Sequence, residues 1–274
     1  MVLLRGCGAG DLPSGAASPS IWPLSVPTDL VFWLVAGLAI LLVGLAKGGF
    51  AGLGAASMPL IALVMDPVQG AAMLLPILMV QDVVSVWSFR KEYDRALLCQ
   101  MLPGAAVGIF LGWLFANSVS TEGVKGLVGL IALAFGFYRL AENRLGTAGW
   151  AIAMPGWVGT FWGAVAGFTS HVAHAGGPPF QIWALSRNLP HTIFIGTSAI
   201  FFAAINYMKV PAYLALGQFT AETLWLTVLF MPLAIISTIA GVILVRRISP
   251  ARFHLAINLL MIIVGAELIR EAIW

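Results

Sequence analysis

Four long stretches of this chain contain no charged residue, and they constrain its fold more than any other feature. Each exceeds the roughly 20 residues that an α-helix needs to cross the hydrocarbon core of a bilayer. Only 9% of the residues are charged, whereas a soluble domain carries about 25%. We therefore predict an all-α, polytopic helical membrane protein. The stretches run from Arg95 to Glu122, from Arg144 to Arg187, from Arg187 to Lys209 and from Glu222 to Arg246.

The composition also excludes several function classes. The net charge of +3 matches what the cytoplasmic loops of a membrane protein need, so it does not indicate nucleic-acid binding. Cys7 and Cys99 form no spaced pairs of the kind that bind metal or build a disulfide framework. Neither a hydrolase, a zinc-protease nor a phosphate-loop motif occurs. We expect no enzyme and no cofactor, and a process driven by a gradient or an external partner.

The apolar segments form two similar sets of five. When the first set is shifted by 129 residues, Pro103 meets Pro232 and Gly112 meets Gly241. Internal repeats are typical of secondary transporters. The segments cover residues 29–46, 52–65, 68–89, 96–117 and 122–141, and then 151–170, 176–186, 190–208, 220–245 and 252–270.

Three parts of the chain follow from this duplication. Residues 1–27 are rich in Gly, Pro and Ser and lack an apolar core, so we predict a flexible tail and not a cleaved signal. Residues 28–145 form the first transmembrane repeat, and residues 146–274 form the second. Together the repeats make one integral membrane domain.

The opening of each repeat is too long for one straight helix. Residues 28–65 would span about 57 Å at 1.5 Å per residue, against a hydrocarbon core of ~30 Å. Residues 150–186 present the same problem. Each segment must therefore break, and it either crosses once with a detour or folds back as a hairpin.

The loop charges favour the hairpin. In that arrangement nine cations lie on one side and four on the other, whereas single crossings give eight against five. Because cytoplasmic loops are enriched in Lys and Arg, the more uneven split is preferred. The hairpin arrangement predicts that the two repeats are inverted relative to each other and that the N-terminus lies in the periplasm. The nine are Arg90, Lys91, Arg95, Arg139, Arg144, Arg187, Arg246, Arg247 and Arg252, and the four are Arg5, Lys125, Lys209 and Arg270.

A single cation interrupts the first break. Lys47 is the only charged residue between Asp29 and Asp66, in the stretch GLAILLVGLAKGGFAGLG. An ammonium inside a membrane-length segment usually faces a cavity, a partner or a substrate. We predict that Lys47, with Gly48 and Gly49, binds an anion. The alternative is that Lys47 caps carbonyls freed by the break or extends to an interface.

The second break, GFTSHVAHAGGPPFQIW, is rich in hydrogen-bonding groups. Its glycines and prolines allow one helix to end and another to begin, and a helix N-terminus directs free N–H groups at an anion. With Lys47, this stretch predicts an oxyanion site. The predicted cargo-binding residues here are Ser170, His171, His174, Gly176, Gly177 and Gln181.

The two histidines of this break support more than one interpretation. His171 and His174 are three residues apart, so on a helix they share a face. A zinc site would need a third and a fourth ligand, and no cysteine or carboxylate lies nearby in sequence, so we predict no metal site. The histidines bond freed backbone, contact the cargo, or carry a proton, since imidazole titrates near neutrality.

Three further polar residues are predicted to act in the same site. Asp82 lies inside the third apolar segment, where it pairs with Lys47 in the empty state or carries a coupling proton. The alternative is a helix-end carboxylate that reaches water or Arg90. Gln81 is placed to donate to an oxyanion, and Asn206 occupies a position in the second repeat like that of Asp82.

At these motifs the chain resembles the sulfite exporter TauE/SafE family, also called the toluene sulfonate uptake permease (TSUP) family. The similarity lies in the two breaks, AKGGFAGLGAASMPL and GFTSHVAHAGGPPFQIW, and in GTSAIFFAAINYMKVPAYLALGQFT and ISPARF; it covers residues 30–272. Lys47 departs from the commoner Gly-Ile-Gly-Gly-Gly form. The resemblance implies transport of sulfite or an organosulfonate such as sulfoacetate across a bacterial inner membrane, in either direction.

These observations predict a secondary transporter of a small sulfur-containing anion. It works by alternating access between inverted halves in the lipid bilayer, with a proton as the candidate coupling ion carried by Asp82, His171 or His174. The alternatives are a transporter of divalent metal or of another small anion, a membrane subunit that anchors a partner without transporting, and an intramembrane enzyme. The sequence leaves the oligomeric state open.

Overall fold

The computed structural model describes residues 29–50, 52–116, 118, 120–145, 155–245 and 251–273, without the side chains of 139, 142–145 and 251–257. This part of the chain is helical and has no strand, which confirms the all-α prediction. Its elements are α1 (Leu30–Lys47), a 3₁₀ helix (Leu53–Ala56), α2 (Ser57–Ala62), α3 (Pro67–Phe89), α4 (Arg95–Ala116), α5 (Thr121–Leu145), α6 (Gly156–Ala173), α7 (Gly177–Ser186), α8 (His191–Ala215), α9 (Ala221–Leu244) and α10 (Ala251–Ile273).

Six helices in the described ranges are long and apolar enough to cross a membrane: α1, α3, α4, α8, α9 and the Thr121–Tyr138 part of α5. This confirms the polytopic prediction. The predicted tail at 1–27 lies outside the described residues, as do Arg246 and Arg247. The side assigned to the N-terminus therefore stays a prediction, whereas the count of four cations on the opposite side is wrong, because Lys209 is fully buried within a helix.

Both predicted breaks occur. α1 ends at Lys47, and the following 3₁₀ helix and α2 pack back against α1; α6 ends at Ala173, and α7 packs back against α6. Gly49 and Gly52 have φ of +126° and +97° in the first break, backbone angles that glycine adopts without a steric penalty. In the second break His174 takes the left-handed conformation, with φ of +49°.

The helices pack in pairs that correspond between the repeats. α4 lies parallel to α6, and α9 lies parallel to α1. Both contacts depend on glycines: a Cβ on Gly108 would approach the carbonyl oxygen of Ala164 to 2.0 Å, and one on Gly48 would approach the backbone of Gly241 to 2.5 Å. Small residues allow membrane helices to approach this closely. The first helix of each repeat is thus packed on the fourth helical segment of the other.

The corresponding helices α3 and α8 run antiparallel. Near the start of α8, Gly196 lies against the carbonyl oxygen of Glu92, which follows the end of α3. Further along α8, Asn206 bonds to Asp82, which lies earlier in α3. Later residues of α8 therefore contact earlier residues of α3, as expected for two antiparallel helices.

α5 and α10 show the same reversal. Gly126 lies beside Ala272, whereas Gly136, later in α5, lies beside Ile262, earlier in α10. Antiparallel packing of two pairs of corresponding helices supports the predicted inversion of the repeats. The inversion of the repeats as wholes stays a prediction.

One predicted boundary is wrong. The eighth apolar segment was expected to stop at residue 208, with Lys209 among the loop cations on the side opposite Arg90. Instead α8 continues through Lys209 and Pro211 to Ala215, and Lys209 is fully buried. Its ammonium has three polar partners inside the protein, which offset the desolvation that otherwise keeps lysine at a surface.

Candidate functional site

A cavity of about 90 Å³ lies between the two breaks. Residues of both repeats line it, so the fold brings the two breaks together as predicted. A volume of this size holds several water molecules or one small anion. Among the predicted site residues, the lining includes Lys47, Gly49, Ser170, His174, Gly177, Gln181 and Asn206; Ser85 and Phe202 also contribute.

The other predicted site residues lie outside this lining. Gln81 is fully buried, and its amide nitrogen is 3.5 Å from the carbonyl oxygen of Ile40. Gly48 packs on Gly241, and Gly176 packs on the carbonyl oxygen of Ala166. Asp82 and His171 are buried and do not line the cavity. A direct contact between cargo and any of these residues stays a prediction.

An ion pair joins the first break to α3. The Lys47 ammonium is 2.5 Å from one carboxylate oxygen of Asp82, and Asp82 is fully buried. The other carboxylate oxygen accepts a hydrogen bond of 2.6 Å from the Asn206 side chain. The predicted pairing of Lys47 with Asp82 is therefore confirmed, and Asp82 also links the two repeats. The alternative partner, Arg90, lies instead over the ring of Trp87 at 3.8 Å.

Local sequence explains how this pair is positioned. Lys47 is the last residue of α1, where its charge interacts favourably with the carbonyl end of the helix. The Ser85 hydroxyl donates to the Lys47 carbonyl oxygen at 2.6 Å. Because Ser85 follows Asp82 by three residues on α3, the two side chains share a helix face. One face of α3 thus bonds to Lys47 twice, through Ser85 at its backbone carbonyl and through Asp82 at its ammonium.

A second buried cation, Lys209, supports the cavity wall through Ser170 and His174, and sequence reasoning missed it. The Lys209 ammonium lies 3.2 Å from both the carbonyl and the hydroxyl oxygen of Ser170, and 2.8 Å from Nδ1 of His174. No carboxylate among the described residues lies within 4.0 Å of it. The available signal was its spacing: Lys209 follows Asn206 by three residues, which puts both on one face of α8.

The contacts of His174 indicate its tautomer when Lys209 is protonated. A lysine ammonium only donates, so Nδ1 of His174 then accepts from Lys209 and Nε2 carries the hydrogen. Nε2 lies 2.8 Å from the carbonyl oxygen of Ala71, to which it donates. In this arrangement His174 is neutral, and neither ring nitrogen remains for a cargo anion or a transported proton.

The predicted shared helix face of the two histidines is wrong. α6 ends at Ala173, and His174 turns into the left-handed conformation, so helical spacing does not apply to it. His171 meets the Tyr213 ring edge-on at 5.4 Å, whereas His174 stacks on that ring at 6.2 Å. Within the described ranges, no group of three or more His, Cys, Asp or Glu side chains is arranged to hold a metal ion.

The start of α7 offers fewer N–H donors than the sequence suggested. Pro178 and Pro179 have no N–H, and the Phe180 N–H donates to the Gly176 carbonyl oxygen at 3.2 Å. Among the first four residues of α7, only the Gly177 amide is left as a backbone donor, and Gly177 lines the cavity. Side chains rather than a helix terminus therefore supply most of the polar groups for an anion.

Comparison with known proteins identifies a family. A family model described as sulfite exporter TauE/SafE matches residues 36–268. The match spans both repeats, both breaks and every residue of the cavity lining. Neither the comparison with curated proteins nor that with solved structures returns a match.

Proposed function

Since the chain belongs to the sulfite exporter TauE/SafE family of membrane transporters, we propose that its cavity carries a small sulfur oxyanion across the bacterial inner membrane. The cargo is sulfite or an organosulfonate such as sulfoacetate. Family membership and the six long apolar helices found among the described residues make the chain a multi-pass membrane transporter of the sulfite or anion type and not an enzyme. The cargo, the coupling and the mechanism are our proposals.

The buried charges carry this proposal. Lys47 lines the cavity and Lys209 lies behind its wall, bonded to Ser170 and His174; among the described residues one carboxylate, Asp82, opposes these two lysines. With all three groups ionised, one positive charge is left over. An uncompensated charge at membrane depth is costly, and such groups commonly mark ion pathways. A bound monoanion would neutralise the site.

Asp82 is the proposed proton carrier. A cargo anion that reaches Lys47 competes with Asp82 for the same ammonium. Once Asp82 loses this partner, its buried carboxylate is stabilised by taking up a proton. A dianion such as sulfoacetate would then enter with one proton, and the occupied site would again be neutral.

Movement of one repeat against the other is the proposed route of access. The cavity lies where the repeats meet, and inverted repeats in transporters open such a site to each side in turn. The antiparallel packing of α3 with α8 and of α5 with α10 supports this. The hydrogen bond between Asn206 and Asp82 joins the repeats beside the cargo, so cargo binding can alter it.

Transport by purified protein in proteoliposomes tests the proposal. We expect wild type to move radiolabelled sulfite or sulfoacetate and Lys47→Met to move it at least about tenfold more slowly, since a hydrogen bond to a charged group contributes about 1.5–3 kcal/mol. Lys125→Met is the matched control, because Lys125 pairs with Glu271 away from the cavity.

A second variant separates loss of binding from loss of folding. Lys47→Met leaves Asp82 buried without its cation, whereas Lys47→Met with Asp82→Asn removes both charges. We expect the double variant to keep its apparent melting temperature and still to fail in transport. Equal rates for wild type and Lys47→Met would reject the role of Lys47. Failure of wild type with every sulfur anion would reject the proposed cargo.

A further inference from the structure

Lys209 holds both oxygens of Ser170. Its ammonium has three N–H groups and no acceptor, and it has three partners: the Ser170 carbonyl oxygen, the Ser170 hydroxyl oxygen and Nδ1 of His174. The donors of the buried ammonium are thus fully used. At Ser170 the hydroxyl oxygen must therefore act as an acceptor toward Lys209.

This contact determines what the Ser170 hydroxyl hydrogen can do. The Ser170 oxygen accepts from Lys209, and no acceptor for its hydrogen occurs among the described residues. The neighbouring Thr169 behaves differently, since its hydroxyl donates to the Val165 carbonyl oxygen at 2.8 Å. Ser170 also lines the cavity with Lys47. The hydroxyl hydrogen of Ser170 is therefore available to a group inside the cavity.

We propose that Lys209 is a positioning residue that makes Ser170 a hydrogen-bond donor of the second repeat. The cargo group it recognises is an oxyanion head, which Lys47 contacts from the first repeat and the Ser170 hydroxyl contacts from the second. This inference rests on the proposed function, because it specifies how the same cavity holds its anion. Neither Lys209 nor its effect on Ser170 is evident from the sequence.

The charge of Lys209 strengthens this donor. A hydroxyl whose oxygen accepts from a cation becomes a better donor, because hydrogen bonds in a chain polarise one another. Hydrogen bonds with an ionised partner are also about twice as strong as neutral ones. The pair therefore favours a charged oxyanion over a neutral molecule of the same shape. Methanesulfonate and dimethyl sulfone differ in this way.

A double-mutant cycle on binding tests the proposal. Affinities for sulfite and methanesulfonate are measured by calorimetry on the detergent-purified full chain, for wild type, Ser170→Ala, Lys209→Met and the double variant. We expect Ser170→Ala to weaken binding about tenfold in wild type and less than about twofold in Lys209→Met. If Lys209 acts through Ser170, the two losses are not additive. Thr169→Val is the matched control and should bind like wild type.

A further variant covers a failure to fold. If Lys209→Met gives no folded protein, Lys209→Gln retains N–H donors without the charge and takes its place in the cycle. We also expect the ratio of the affinity for methanesulfonate to that for dimethyl sulfone to be larger in wild type than in either single variant. A purely structural role for Lys209 would leave this affinity ratio unchanged.

The outcomes distinguish this inference from the proposed function. If wild type binds a sulfur oxyanion but the losses from Ser170→Ala and Lys209→Met are additive, the inference is overturned and the proposed function stands. The same holds if both variants bind like wild type. If wild type binds no sulfur anion at all, both are overturned.

Discussion

At the scale of single residues, Asp82 has two roles: it neutralises a buried cation, and it forms a hydrogen bond between the two repeats. One oxygen pairs with Lys47 on α1 and the other accepts from Asn206 on α8. A buried carboxylate without partners would be strongly destabilising. Asp82 is therefore held by two groups, and one of them is also the proposed contact of the cargo.

Asp82→Asn should uncouple transport from protons. Asparagine still accepts a hydrogen bond from Asn206 but cannot take up a proton. We expect wild-type uptake to rise when the outside of the proteoliposome is made acidic, and uptake by Asp82→Asn to be the same with and without that gradient. Glu271→Gln, which changes a carboxylate paired with Lys125, is the control and should keep the response. A variant that still responds to the gradient would exclude Asp82 as the proton carrier.

Residue-level sequence reasoning succeeded where a side chain is conspicuous in its segment. Lys47 is the lone charge of the first break, and its pairing with Asp82 was predicted. Lys209 was misassigned because it is the first charged residue after a charge-free stretch, and such a residue commonly marks the end of a membrane span. Its partners, Ser170 and His174, lie more than 30 positions earlier in the chain, so no local pattern identifies them.

At the scale of helices, glycine positions determine which elements touch. The α4–α6 contact places glycines of both helices against backbone of the other, as with Gly163 and the Met101 carbonyl oxygen. Close backbone approach of this kind increases van der Waals packing, which drives helix association in a membrane. The same contact fixes α6, at whose end Ser170 and His171 lie.

Gly163→Ala should loosen this pair. The added Cβ would meet the Met101 carbonyl oxygen at 2.1 Å, so the helices must separate. Overpacking of this kind costs about 1–3 kcal/mol. Gly37→Ala is the matched control, because its Cβ meets only the Leu233 side chain at 3.9 Å. We expect the apparent melting temperature in detergent to fall for Gly163→Ala and to stay level or rise for Gly37→Ala. The opposite order would contradict the packing argument.

At the scale of the whole molecule, the antiparallel pairs predict where equivalent loops lie. Glu92 follows α3, and Ala221 begins α9 just after α8 ends. Because α3 and α8 run antiparallel, these two positions should lie on opposite sides of the membrane. The cations Arg90, Lys91 and Arg95 predict a cytoplasmic location for the first of them by the positive-inside rule.

Cysteine labelling measures this arrangement. In a background with Cys7→Ser and Cys99→Ser, a membrane-impermeant maleimide should label Ala221→Cys in intact cells. It should label Glu92→Cys only after the cells are permeabilised. Labelling of both positions from the same side would contradict the inverted arrangement of the repeats.

The sequence by itself determined the class of protein, the apolar segments and the two breaks. Hydropathy, charge and the positions of Gly and Pro act over a few residues, so they can be read along the chain. Only the tertiary structure decided that Lys209 belongs to the site, that His174 uses both ring nitrogens and that Asp82 bridges the repeats. Those partnerships depend on the registers in which distant helices cross, and close packing across the whole molecule sets these registers.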